Sequence, residues 1–186
     1  MELLTSLGLA IPAGLNAYIP LLAVAVSQRV GWLKLKEPYA LLGEWWVIAL
    51  IAVLLMVEIV ADKFPAVDHI NDVVQTVVRP AAGGLLFVAV SQQTLDVHPA
   101  LLIAAGVIVA GTVHAAKATT RPVVNTATAG FGAPVVSAIE DVLATVTTIL
   151  ALVAPYLVAV AVAAIGFLFW RLWLRRRTAW TGTAAG

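Results

Sequence analysis

The sequence predicts an all-α, polytopic helical membrane protein of about six transmembrane helices with broken or re-entrant polar segments. Three observations carry that prediction. The 186 residues are 62% hydrophobic and only 11% charged, with a mean hydropathy of +1.00, whereas a soluble domain has about 25% charged residues. Several apolar runs approach the roughly 20 residues that a helix needs to cross a hydrocarbon core. None of them shows the alternation of an outer-membrane barrel strand, so helices are the spanning element.

Taken in order, the first span is Leu3 to Gln28, interrupted by Pro12, Gly14 and Pro20 around Asn16 and Tyr18. Proline frees backbone groups that need partners away from water, which predicts a kinked or unwound segment there. The start of the chain lacks a basic leader and a small-residue cleavage signal, so this segment is expected to be retained. Arg29 to Gly43 is a polar connection, flanked by Trp32, Trp45 and Trp46 as interface anchors. Trp45 to Ala61 is the second span. Pro65 to Val78 is expected to be amphipathic or partly re-entrant, ending at Arg79-Pro80, with a short third span from Ala81 to Thr94. Pro99 to Ala116 is the fourth span, followed by a polar half-buried segment from Lys117 to Gly132. Pro134 to Ala154 and Pro155 to Leu174 are the fifth and sixth. Residues 1–177 form one transmembrane domain and residues 178–186 a small polar tail.

The densest basic cluster is Arg171 with Arg175, Arg176 and Arg177, beside the last span. By the positive-inside rule that end is cytoplasmic, and six spans put the other end there too, in a cytoplasmic (inner) membrane. A faint internal repeat accompanies this pattern, and would make the chain a series of helical hairpins. Leu21 to Gln28 matches Leu85 to Gln92 at all but one position, and a shift of 54 residues pairs Lys63 with Lys117, Asn71 with Asn125 and Pro80 with Pro134.

The informative contrast is the set of ionisable residues at or inside the ends of these apolar runs. A charge at the centre of a bilayer costs roughly 2.5 to 3.5 kcal/mol even on the lenient insertion scale, so such residues face a protein interior or a hydrated cavity and mark a candidate site. Glu58 and Asp62 lie one turn apart on one face of the second span, where two carboxylates could carry a proton or a small cation, or could tie helices together through Lys63, Lys117 or Arg121. His114, Lys117 and Arg121 end the fourth span and suit a proton relay or an anion, or a snorkelling boundary. Glu140 and Asp141 complement the positive end of the fifth helix or join the same cluster. Asn16 and Tyr18 would add polar contacts from the broken first span, and Arg79 and Asn125 complete the charge partners or anion ligands. Asp68, His69 and Asp72 have the spacing of a weak divalent-metal triplet, or of a solvated helix face. No cofactor is required, although a divalent cation is allowed.

Enzyme signatures are absent: there is no Walker loop, dinucleotide fingerprint, nucleophile elbow or His-Glu-x-x-His helix. The lack of cysteine excludes disulfides and thiolate sites, and a net charge of +1 argues against a nucleic-acid partner. The partners expected are the bilayer and a small ion or solute; small-residue faces such as Ala104 to Gly111 also permit a homo-oligomer.

Five stretches carry a family resemblance: Gly14-Leu15-Asn16-Ala17-Tyr18-Ile19-Pro20; Glu58 with Ala61-Asp62-Lys63-Phe64-Pro65 and Asp68; Arg79-Pro80-Ala81-Ala82-Gly83; Lys117-Ala118-Thr119-Thr120-Arg121-Pro122; and Ser137 with Glu140-Asp141. Together they resemble a family of small bacterial integral membrane proteins known as a domain of unknown function, the DUF4126 type. The resemblance covers nearly the whole chain and implies a helical membrane fold; it carries over no activity. The residues themselves point to a small transporter or channel for an ion or small polar solute, with proton coupling. The rivals are a metal-dependent membrane enzyme acting on a lipid phosphate, and a structural protein whose charges only pair.

Overall fold

A computed structural model describes residues 1–62, 65–92, 96–128 and 132–181. The described residues form seven α-helices: α1 (Glu2–Ala13), α2 (Tyr18–Arg29), α3 (Trp45–Ala61), α4 (Pro65–Ser91), α5 (Pro99–Ala127), α6 (Ala133–Val153) and α7 (Pro155–Thr181), with a 3-10 turn over Tyr39–Gly43 before α3. Within them, Val73–Ser91, Pro99–Thr120 and Pro134–Val153 are long and apolar enough to cross a membrane; Glu2–Ala13, Trp45–Ala61 and Pro155–Leu168 are apolar but shorter.

The expected first span is two helices folded back on each other. Gly8 of α1 packs against Ala151 of α6, and Asn16, just past α1, bonds to Asp141, so α1 runs antiparallel to α6. Ile19 and Ala23 of α2 then share a groove with Asp141 and Thr145, so α2 returns in the direction of α6. The open ends of the hairpin meet the same level of α4. Ser6 bonds to Ser91 at 2.7 Å, Gln28 accepts from the Leu35 amide at 2.7 Å, and Lys36 donates to the Gln92 carbonyl at 2.9 Å. We call this the proximal end of the bundle. Each arm has 12 residues, about 18 Å of helix, so the turn at Gly14 to Ala17 stops partway down the bundle.

The longer helices correct the expected ends after Val78 and Ala116. Pro80 lies inside α4 and Pro122 inside α5, and both helices continue through them. Proline removes one backbone bond, and neighbouring helices hold the rest of the ladder in place. The segment expected to end at Val78 is thus the first half of α4, and the polar stretch after Ala116 is helical as far as Ala127. The helix α7 extends past Arg177 into the expected tail. Because the first segment is a hairpin, the start of α1 is at the proximal end and the end of α7 at the distal end, where six full crossings would have put both together. Leu21 to Gln28 and Leu85 to Gln92 both close helices at the proximal end, but those helices have 12 and 27 residues.

The hairpin is central. α1 packs against α4, α5, α6 and α7, while α3 packs chiefly against α2. The distribution of polarity is inverted relative to a soluble protein: Val77 is 72% exposed and Met56 68%, whereas Arg79 is 0% and Glu58 1%. On α4 this follows from spacing, since Gln75, Arg79, Ala82 and Leu86 repeat every three or four residues on the buried face, and Val73, Val74 and Val77 fall on the outer one.

α4 and α5 make the most extensive pairing. A side chain at Gly83 would run into Ala110 and lie 2.8 Å from the Gly106 carbonyl, so the two backbones touch through small residues. Gly83→Val should therefore destabilise the bundle by about 1–3 kcal/mol, the usual cost of overpacking, and lower its thermal unfolding midpoint in detergent. Gly166→Val, placed where nothing lies within 4 Å, should leave that midpoint unchanged.

Candidate functional site

A chain reversal away from water leaves backbone groups to be satisfied by side chains, and the hairpin tip shows how. The Asn16 Oδ1 accepts from the amides of Tyr18 at 3.0 Å and Ile19 at 3.2 Å, capping α2, while its Nδ2 donates to Asp141 Oδ1 at 2.9 Å. On the other side of the turn, Lys117 Nζ of α5 donates to the Leu15 carbonyl at 2.9 Å and pairs with Glu140 Oε2 of α6 at 2.8 Å. Gly14 lets the tip approach α5: a side chain there would lie 2.6 Å from Val113 Cβ. Adjacent carboxylates on α6 thus diverge, Glu140 towards α5 and Asp141 towards the hairpin.

Beside the tip lies a second buried chain of contacts. Arg79 Nη2 donates to Glu58 Oε1 at 2.9 Å, with the two side chains 0% and 1% exposed. Arg79 Nη1 is 3.1 Å from His114 Nδ1, whose Nε2 is 3.2 Å from the Thr76 hydroxyl. α3, α4 and α5 supply every group of this chain of contacts. One turn further along α3, Asp62 accepts from Ser137 Oγ at 2.6 Å and from Asn71 Nδ2 at 3.1 Å, linking α3 to α6 and α4. The Tyr18 hydroxyl sits against the Gln75 amide and faces the Glu58 and Arg79 pair. Among the described residues, three atoms in this group are buried without a hydrogen-bond partner: Glu58 Oε2, Gln75 Oε1 and Arg79 Nε.

Counting helical rise from the proximal end, Asp141 and Arg79 lie about 18 Å down their helices and Lys117 about 27 Å. The groups therefore gather inside the bundle and not on its rim.

The structure brings together Glu58, Asp62, His114, Glu140 and Asp141 with Asn16, Tyr18, Arg79 and Lys117. The expected cation for Glu58 was Lys63, Lys117 or Arg121; its partner is Arg79, and Lys117 takes Glu140 instead. Lys63 and the side chains of Arg121, Asn125, Asp68, His69 and Asp72 lie outside the described residues. Among the described residues, no group of three or more His, Asp or Glu could hold a metal ion. Gln75 and Thr76 were missed. Gln75 is four residues before Arg79 and so shares its helical face, which is the signal that could have found it. His98 is exposed and accepts from the Ala100 amide at 3.2 Å as the cap of α5.

With this geometry in hand, the family can be stated. The model of a family described as a domain of unknown function, DUF4126, matches residues 3–175. The chain belongs to that family. The match runs from α1 into α7, so the hairpin and every buried charge of this DUF4126 protein fall within it. No curated protein and no solved structure matches the chain.

Because Arg79 and Glu58 are both withdrawn from solvent, removing one strands the other. Arg79→Met should cost about 3–5 kcal/mol of stability, and the double variant Glu58→Gln/Arg79→Met should recover most of that loss. A double-mutant cycle of thermal unfolding in detergent reads the difference.

Proposed function

We propose that this DUF4126 protein is a small transporter or channel of the cytoplasmic membrane that moves an ion or small polar solute through its buried charged cluster, with proton coupling. The observation that carries the proposal is the hairpin tip: a backbone reversal halfway through the bundle, beside ionisable groups that keep unpartnered polar atoms. Non-helical backbone at membrane depth is tolerated where it is enclosed by protein or lines a cavity, and broken helices meeting near the midplane are how many transporters build a binding site.

A purely structural role for the charges accounts for the pairs but not for the leftovers. Holding helices together calls for every donor and acceptor to be matched, since an orphaned buried polar atom costs about 1–3 kcal/mol. Two of the three unpartnered atoms here, Glu58 Oε2 and Gln75 Oε1, are acceptors. A proton on Glu58 supplies what its Oε2 lacks, and Gln75 Oε1 is open to a donor on a polar solute. Arg79 Nε offers the matching donor for a polar solute, and His114, whose Nδ1 accepts from Arg79, can exchange a proton at Nε2 on the Thr76 side.

The basic residues favour a cytoplasmic distal end, since Arg171, Arg175, Arg176 and Arg177 follow the last apolar run. In that orientation the proximal end, with the start of α1, Arg29, Lys34 and Lys36, would face outward. The chain has no native cysteine, so single cysteines report this directly. Cysteines replacing Lys34 and Asp96 should react with an impermeant maleimide from outside intact cells, and one replacing Thr128 only after permeabilisation.

Transport itself is tested with protein reconstituted into liposomes that contain a trapped pH-sensitive dye, under an imposed potential and a proton, sodium or potassium gradient. Flux should fall at least tenfold in Glu58→Gln. A variant that matches the wild type would remove Glu58 from the mechanism, and no flux of any of these ions by the wild type would remove cation transport.

A further inference from the structure

The face of the bundle formed by α2, α3 and α6 carries an open groove of about 490 Å³, within the range of about 300–1,000 Å³ typical of small-molecule sites. Its walls are Ile19 and Leu22 of α2, Leu55 and Ile59 of α3, and Val142 and Val146 of α6, with Asp141 and Thr145 as the polar residues. The Thr145 hydroxyl is committed, donating to the Asp141 carbonyl at 2.8 Å. Among the described residues, Asp141 is the one charged residue lining this apolar groove. Its Oδ1 accepts from Asn16, and its Oδ2 has no hydrogen bond among the described residues.

We propose that this groove binds a lipophilic organic cation, with Asp141 as the counter-charge. The chemistry of the walls selects that class. A lipid acyl chain fills the volume but leaves a carboxylate facing hydrocarbon. An inorganic cation is strongly hydrated and calls for several oxygen ligands, whereas the groove offers one carboxylate among aliphatic side chains. A large cation with a delocalised or alkyl-shielded charge, such as a phosphonium or a quaternary ammonium, matches both features. An internal comparison sharpens this. A neighbouring groove of the same volume, about 490 Å³, lies on an adjoining face of α6 over Pro134, Ala138, Ile139 and Leu143, and no charged residue lines it.

Asp141 also ties the groove to the hairpin, because the carboxylate that would meet the cation already holds Asn16 at the tip. A cation at Oδ2 would share the carboxylate whose Oδ1 holds Asn16. As an assignment of transport substrate, the inference rests on the transport reading above; as a binding site it stands apart from it.

The test is equilibrium dialysis of radiolabelled tetraphenylphosphonium against full-length protein in phosphatidylcholine nanodiscs, with empty nanodiscs subtracted. One saturable site per chain is expected, weakened at least tenfold by Asp141→Asn and by Ala23→Phe, which fills the groove and keeps the carboxylate. Ala138→Phe, which fills the uncharged groove, should leave binding unchanged. Should Asp141→Asn fail to fold, the contrast between the two phenylalanine variants decides. Non-saturable uptake, or equal binding by the wild type, Asp141→Asn and Ala23→Phe, would mean that the probe partitions like any lipid-soluble ion and would overturn the site. Binding without liposome flux would keep the site and remove the transport reading; flux without binding would do the reverse.

Discussion

A backbone that turns round in the middle of a helical bundle exposes amides and carbonyls where no water can reach them, and most of this molecule is arranged around that constraint. The tip at Gly14 to Ala17 is satisfied from two sides, by the Asn16 side chain on the amides of α2 and by Lys117 on the Leu15 carbonyl. Bringing a lysine to that depth calls for a carboxylate, and Glu140 supplies it. Holding Asn16 in its capping rotamer calls for a second contact, and Asp141 supplies that. The neighbouring acidic residues of α6 thus have distinct tasks, both fixed by the hairpin, and the close packing of α4 and α5 through Gly83 and Gly106 lets α5 come near enough to deliver Lys117.

The Glu58, Arg79 and His114 chain obeys a different logic. Its pairing answers the cost of burying charge, yet it stops short of full satisfaction, leaving an acceptor on Glu58, another on Gln75 and a donor on Arg79. Beside buried polar groups that are matched, as Ser6 is to Ser91 and Asp62 to Ser137, three of the four unpartnered buried side-chain atoms among the described residues fall in this cluster, the fourth being Thr148 Oγ1, and such incompleteness is where chemistry or binding can enter.

The helical class, the α3 and α6 boundaries, the start of α7 and the identity of most buried charges were legible because each depends on local pattern. A run of apolar residues sets a span, and an ionisable residue inside it is costly wherever it sits. What was not legible depends on how helices meet. Pro12, Gly14 and Pro20 announced a break, but a kink and a full reversal have the same local signature; only the contacts of α2 with α6 distinguish them. Arg79-Pro80 looked like an end because proline removes a backbone donor, and the polar run after Ala116 looked like a connection, whereas surrounding helices carry α4 and α5 through. The choice of Arg79 over Lys117 as the partner of Glu58 is likewise a matter of which faces oppose, and a single sequence does not encode that visibly.

The shortness of α3 has a consequence for the surrounding lipid. Its 17 residues give about 26 Å of helix, less than the roughly 30 Å of a typical hydrocarbon core, while the 22-residue apolar stretch Pro99–Thr120 of α5 gives about 33 Å. A bilayer around this protein would be pinched beside α3 and relaxed beside α5, and the cost of that mismatch, fractions of a kcal/mol per Å, makes the protein sensitive to acyl-chain length. Thinner bilayers would hold it with less distortion, and their chains would be most compressed along the flank that presents Met56 and Val60.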